Sequence, residues 1–159
     1  MNIFYLDENP ITAARYHNDK HCIKMILESA QILCTIINEA RGEQCTPYKS
    51  THRHHPCTLW AGQSVENAQW LYALTKALND EYKYRFNHNK DHKSFTMLKD
   101  ESMRGMLAYY IPDGDFTPPP QAMPDYLKSD DPVFSYRLYY KLEKAHLLQY
   151  TRRERPDWL

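Results

Sequence analysis

From His21 to Ile37 nearly all polar residues fall on one narrow line, and that pattern constrains the fold more than any other feature of the chain. At roughly 100° per residue, Ile23, Ile26, Leu27, Ala30, Leu33, Cys34 and Ile37 share one broad apolar face, and Met25, Ile32 and Ile36 extend it round one side. What remains is a strip of His17, His21, Lys24, Glu28, Gln31 and Thr35, stacked at helical spacing. A helix apolar over most of its circumference belongs at the centre of a domain. Asn9-Pro10 supplies its start, an N-cap followed by proline at the first helical position. Asn18 is a candidate break, and Arg41-Gly42 closes the segment.

Around this element the sequence predicts three further helices. Asn2 to Leu6 reads as a short extended segment, and residues 43–56 as a polar loop. A second long helix is expected from about Thr58 to Phe86, with Trp60, Leu71, Leu74, Leu78 and Tyr82 on its core side. Ser94 can cap a third helix reaching about Tyr109. A turn at Ile111–Asp115 and the stiff Pro118–Pro120 run follow. Asp131-Pro132 opens a last helix to about Tyr150, with Phe134, Leu138, Leu142 and Ala145 expected inward. The expectation is a mainly α fold: one compact domain over residues 1–159, a bundle of about four helices with a short extended N-terminal segment.

Composition narrows the class of partner. The formal net charge is zero and the pI near 7.1, which argues against a long duplex-DNA footprint but leaves room for a small nucleotide held by a local basic patch. The basic charge is local, because the segment from Tyr136 to Arg155 carries about +4. Thirteen Tyr and three Trp suit ligand pockets and subunit contacts, so a homo-oligomer is one expectation. Four cysteines without a C-x-x-C pair, no basic-apolar leader and no membrane-length apolar run point to a cytoplasmic protein with reduced thiols and no membrane partner.

Two sets of residues carry the candidate chemistry. The strip offers His17, His21, Lys24 and Glu28, with Lys20 beside it, for binding phosphate and moving protons. The loop offers Thr51, His52, His54 and His55, since loops gather binding residues and imidazole with guanidinium suits phosphate. Trp60 or Tyr82 can stack on a base. Glu81 and Arg85 form a pair one turn apart, and Arg137, Lys141 and Lys144 form a basic line on the last helix. Cys45, Cys57 and the loop histidines are irregularly spaced for zinc, so neither metal nor cofactor is expected. The deaminase zinc signature, the phosphate-binding glycine loops and the nucleophilic serine elbow are all absent.

Asp19-Lys20-His21 with Lys24 and Glu28, followed by Thr51-His52-Arg53-His54-His55-Pro56, resembles a group of small proteins common in phage genomes. A second likeness is to phage endonuclease V-type pyrimidine-dimer DNA glycosylases and their bacterial relatives. It rests on His17 in an early helix, Tyr48-Lys49…His55-Pro56 opening a long second helix, and the tail Arg155-Pro156-Asp157-Trp158. That resemblance implies a shared helical fold. It also implies an N-terminal amine that attacks the sugar carbon to form a Schiff base, assisted by a Glu on the first helix. In this register Lys24 stands at the position of that Glu, and Glu28 lies one turn on; Asn2 is too bulky for easy removal of Met1.

The sequence alone favours a protein that binds a small phosphate-bearing nucleotide, in a phage setting one that sequesters a nucleotide immune signal of the host. The alternatives are a base-excision or nucleotide-cleaving enzyme acting on DNA or a nucleotide, with His21 or His54 as acid or base and Glu28 assisting, and a protein-interaction module.

Overall fold

The computed structural model describes residues 1–159 and is all α, with seven α-helices and no strand. The seven are the four expected segments, three of them broken once. The first segment gives α1 (Pro10–Tyr16) and α2 (Asp19–Arg41), and the second gives α3 (Pro56–Gln63) and α4 (Val65–Arg85). The third gives α5 (Lys93–Leu98) and α6 (Glu101–Tyr110), and the last is α7 (Pro132–Glu143), followed by a short 3-10 turn at Ala145–Leu147. No helix is long and apolar enough to cross a membrane.

Each break has a polar residue that caps the helix after it. The Asn18 side chain accepts from His21 N–H at 2.9 Å and starts α2. Ser64 ends α3 and starts α4: its Oγ accepts from Asn67 N–H at 3.1 Å and donates to the Asp115 carbonyl at 3.0 Å. Asp100 accepts from Ser102 N–H at 2.9 Å to start α6. A side-chain cap of this kind competes directly with continuation of the preceding helix. Gly42 closes α2 with φ 85°, a left-handed conformation open to glycine at no steric cost.

α2 and α4 form the centre of the molecule and α1, α3, α5 and α6 pack around them. Ile3, Phe4, Tyr5 and Leu6 are all buried, so the extended N-terminal segment runs through the interior. Phe4 stacks on His21 with ring centroids 4.2 Å apart. Arg137 donates from Nε to the Leu6 carbonyl at 2.9 Å, satisfying a backbone group that no strand partner reaches.

α7 presents the opposite face from the one expected. Tyr136 and Tyr140 are fully buried, whereas Phe134 and Leu142 are exposed and Leu138 is half-buried. The helix carries two apolar stripes, and the tyrosine stripe goes inward because both hydroxyls find partners there. The Tyr140 hydroxyl lies 2.7 Å from His21 Nδ1, and that of Tyr136 lies 2.6 Å from the Pro120 carbonyl.

Arg85 is the most deeply buried charge. Its five donors reach Glu81 Oε2 (2.8 Å), Asp19 Oδ1 (3.2 Å) and the carbonyls of His17 (2.7 Å), Ala14 (3.4 Å) and Arg15 (2.9 Å). The end of α1 is thereby capped by a side chain of α4. Glu81 also receives Arg153, at 2.7 Å to Oε1. Burial works to raise the Glu81 carboxyl, but hydrogen bonds from Arg153 and Arg85 outweigh it and hold the group below its usual range.

Replacing Arg85 with methionine takes the buried cation from Glu81 and Asp19, leaves Arg153 as the guanidinium on Glu81, and removes the donors of the His17 and Arg15 carbonyls; it should cost about 3–5 kcal/mol in denaturant unfolding. Acid should weaken the fold through two histidines. Burial holds His17 down to about 4 and His21 down to about 3, against an ordinary 6.5. The unfolded chain takes up these protons below pH 6.5 while the folded chain refuses them. Stability is therefore full above that pH and falls toward the folded values, by roughly 1–2 kcal/mol per histidine between pH 6.5 and 5. Equal unfolding free energies at pH 7.5 and pH 5 would contradict this.

Candidate active site

The polar strip of α2 faces the N-terminus and the 51–56 turn. Thr35, fully buried, exchanges two hydrogen bonds with Thr51: its Oγ1 accepts from Thr51 N–H at 3.1 Å and donates to Thr51 O at 3.3 Å. Three residues on, Asn38 donates to Tyr48 O at 2.9 Å and accepts from Cys45 N–H at 2.9 Å. These contacts lay the 45–51 chain along α2 and deliver the turn that follows. His52 takes φ 48°, a left-handed conformation uncommon outside glycine, and His55 N–H closes the turn onto His52 O at 2.9 Å. His55 then caps α3, its Nδ1 accepting from Cys57 N–H at 3.1 Å. Nε2 therefore carries the ring proton and is the nitrogen free to donate.

Glu28 lies at the middle of the strip with only 15% of its side chain exposed, and two amines share it. Oε2 is 3.9 Å from the Met1 ammonium and Oε1 is 3.4 Å from Lys24 Nζ. The first distance is an ion-pair contact longer than a direct hydrogen bond, so the amine is held near the carboxylate without a short bond to break. Of the two positions, Glu28 supplies the carboxylate beside the Met1 amine, and Lys24 pairs with its other oxygen. His55 senses the same charges. Burial lowers it below the ordinary imidazole value, the Met1 amine and His52 push it the same way, and Glu28 opposes them. Burial pushes the neighbouring Cys57 thiol up to about 11. A neutral buried thiol is a poor nucleophile.

The remaining candidates separate into three groups. His17, His21, Trp60, Glu81 and Arg85 are buried and engaged in the fold. His17 donates from Nδ1 to Ala13 O at 2.7 Å, and Trp60 donates from Nε1 to Thr117 O at 2.8 Å. His17 precedes the break at Asn18, so it does not share a helical line with His21. Tyr82 is half-buried and already stacked on His88, centroids 4.4 Å apart, and Arg137 is tied to Leu6 and to Asp7 at 3.1 Å. Nearer the site, Lys20, Lys24 and Lys144 all act on the His21 end of the strip, and Lys144 Nζ lies 5.0 Å from the centroid of the Tyr139 ring. Lys20, Lys24, His52, His54 and Lys141 are exposed, and Arg53 reaches Glu39 at 3.6 Å. No group of three or more His, Cys, Asp or Glu side chains is arranged to hold a metal ion. The Met1 amine is the site group that residue-type patterns passed over; the resemblance alone pointed to it.

The sequence model of the pyrimidine dimer DNA glycosylases matches residues 1–94. The chain belongs to this family. No curated protein and no solved structure matches it. The matched segment of this glycosylase-family chain holds Met1, Glu28, the 51–56 turn and the α2–α4 centre, whereas α6, α7 and the tail lie beyond it.

The two Thr35–Thr51 bonds should decide whether the turn stays on α2. Thr35→Val removes both while keeping the shape, and Thr51 N–H should then exchange with deuterium roughly tenfold faster, consistent with the loss of about 1 kcal/mol or more per buried bond. Unchanged exchange would show that the turn is held elsewhere.

Proposed function

We propose that this chain is a DNA glycosylase that removes a damaged pyrimidine through a Schiff base on the α-amine of Met1, with Glu28 moving the protons. The observation that carries this reading is the Met1 ammonium 3.9 Å from a largely buried Glu28, within the segment that matches the family. Both amines that touch Glu28 belong to the class that forms Schiff bases, and the terminal one is the group the family resemblance implies.

In this mechanism the free amine attacks C1′ and the base departs with the glycosidic electron pair, taking its proton from water. The C1′–O4′ bond then opens. One amine proton reaches O4′ by way of Glu28, and the other stays on the iminium nitrogen. The Glu28 carboxylate takes a C2′ proton, the C3′–O bond breaks and the 3′ phosphate leaves with its electron pair, and water hydrolyses the imine to free the enzyme. Lys20, Lys24 and Lys144 would meet the backbone phosphates, which reconciles DNA as substrate with a net charge of zero. The nucleotide-sequestering role lacks comparable support, since Trp60 and Tyr82, its stacking candidates, are engaged within the fold.

Borohydride in the presence of dimer-containing or abasic DNA should trap a covalent adduct with the wild-type chain. Glu28→Gln should slow trapping on the order of a hundredfold. No adduct from the wild-type chain under any condition that permits DNA binding sinks the reading. Three phosphate-facing lysines predict a shallow salt dependence of DNA binding, with a log–log slope of about −3. A slope several times steeper would place the DNA on a larger basic surface.

A further inference from the structure

The amine of residue 1 is one residue away from a fixed point. Chain termini ordinarily fray, yet the Asn2 side chain is bound on both ends: Nδ2 donates to Ala122 O at 2.9 Å, and Oδ1 accepts from Ile3 N–H at 2.7 Å. Oδ1 also lies 3.0 Å from the hydroxyl of Tyr136. That hydroxyl, on a completely buried ring, is 2.6 Å from Pro120 O and accepts from Ala122 N–H at 3.2 Å. Its single proton is shared between two acceptors while its lone pair holds a third group. One phenol thus joins α7, the proline-rich segment after α6 and the second residue of the chain. All of these partners except Asn2 and Ile3 lie outside residues 1–94.

We infer that Tyr136 is a positioning residue for the Met1 amine, acting through Asn2 to keep that amine in contact with Glu28. Asn2 cannot shift toward or away from α2 without losing Ala122 or Tyr136, so the amine is left with little freedom beyond rotation within residue 1. The part of the chain after α5 then has a defined task, which is to anchor the terminus that the first part uses. The catalytic meaning of this anchoring rests on the glycosylase reading; the geometric claim does not. Misplacing a nucleophile by a fraction of its reach lowers the rate of attack steeply while leaving substrate binding intact.

The test uses the full chain and two variants, Tyr136→Phe, which removes only the hydroxyl, and Asn2→Leu, which keeps the size of the side chain and the bulk that retains Met1. A carbodiimide joins a carboxylate to a touching amine with loss of water, and Glu28 can form two such amides, with Met1 and with Lys24. The Lys24 amide lies within one helix and serves as the internal standard. Peptide mass spectrometry should show the ratio of Met1–Glu28 to Lys24–Glu28 amide falling about tenfold in both variants. Borohydride trapping at saturating DNA should fall by a similar factor with DNA affinity unchanged. Where Tyr136→Phe unfolds, Asn2→Leu decides. A ratio within about twofold of wild type in the folded variants, or no Met1–Glu28 amide in the wild-type chain, overturns the assignment. A wild-type chain that forms the Met1 amide but never traps on DNA removes the glycosylase reading alone.

Discussion

The guanidinium of Arg85 is the point on which the rest of the structure depends. It is wholly withdrawn from water, and all five of its donors are occupied. A buried charge is tolerable only when paired and fully hydrogen-bonded. Here that requirement draws α1, the start of α2 and the end of α4 to one place, and Glu81 extends the junction to Arg153 in the tail. Asp19 adds a second link to the tail by accepting from Thr151 Oγ1 at 2.6 Å. With α1 capped from the side, the chain turns at His17–Asn18 and sends α2 off at a fixed angle. The position of Glu28 follows from that angle.

The second constraint is the buried N-terminal segment. A stretch that runs through the core without strand partners must place its polar groups on side chains, and Arg137, Tyr136 and Asn2 answer that need. The histidines of the opening strip serve the same interior. His21 sits between Phe4 and Tyr140, where burial keeps it neutral, so it fills space and orders the tyrosine. One turn later Lys24 and Glu28 stand where α2 runs beside the terminus.

Much of this was legible in the sequence wherever the signal was local. The cap at Asn9-Pro10, the stop at Gly42 and the central character of α2 follow from residue types and period alone. The breaks at Ser64 and Asp100 were not legible, because Ser64 chooses to cap only with Asp115 and Pro112 in place nearly fifty residues away. The inward face of α7 departs from periodicity for the same reason: periodicity ranks Phe134, Leu138 and Leu142 above the tyrosines, and only distant acceptors reverse that order. In the strip, the Lys24–Glu28 pair could be read from its spacing, but nothing local tells a solvated pair from one shared with the chain terminus. The Met1 amine carries no side-chain signature at all, and its contact with Glu28 exists only in the folded chain.

The proposed chemistry depends on one atom, the α-nitrogen of Met1, beside one carboxylate. Reducing the enzyme–DNA intermediate, digesting the complex and locating the deoxyribose remnant by tandem mass spectrometry tests it most directly. The remnant should sit on the α-nitrogen of the Met1 peptide. A remnant on Lys24 or any other lysine would contradict the account, as would a reduced complex in which Met1 is unmodified.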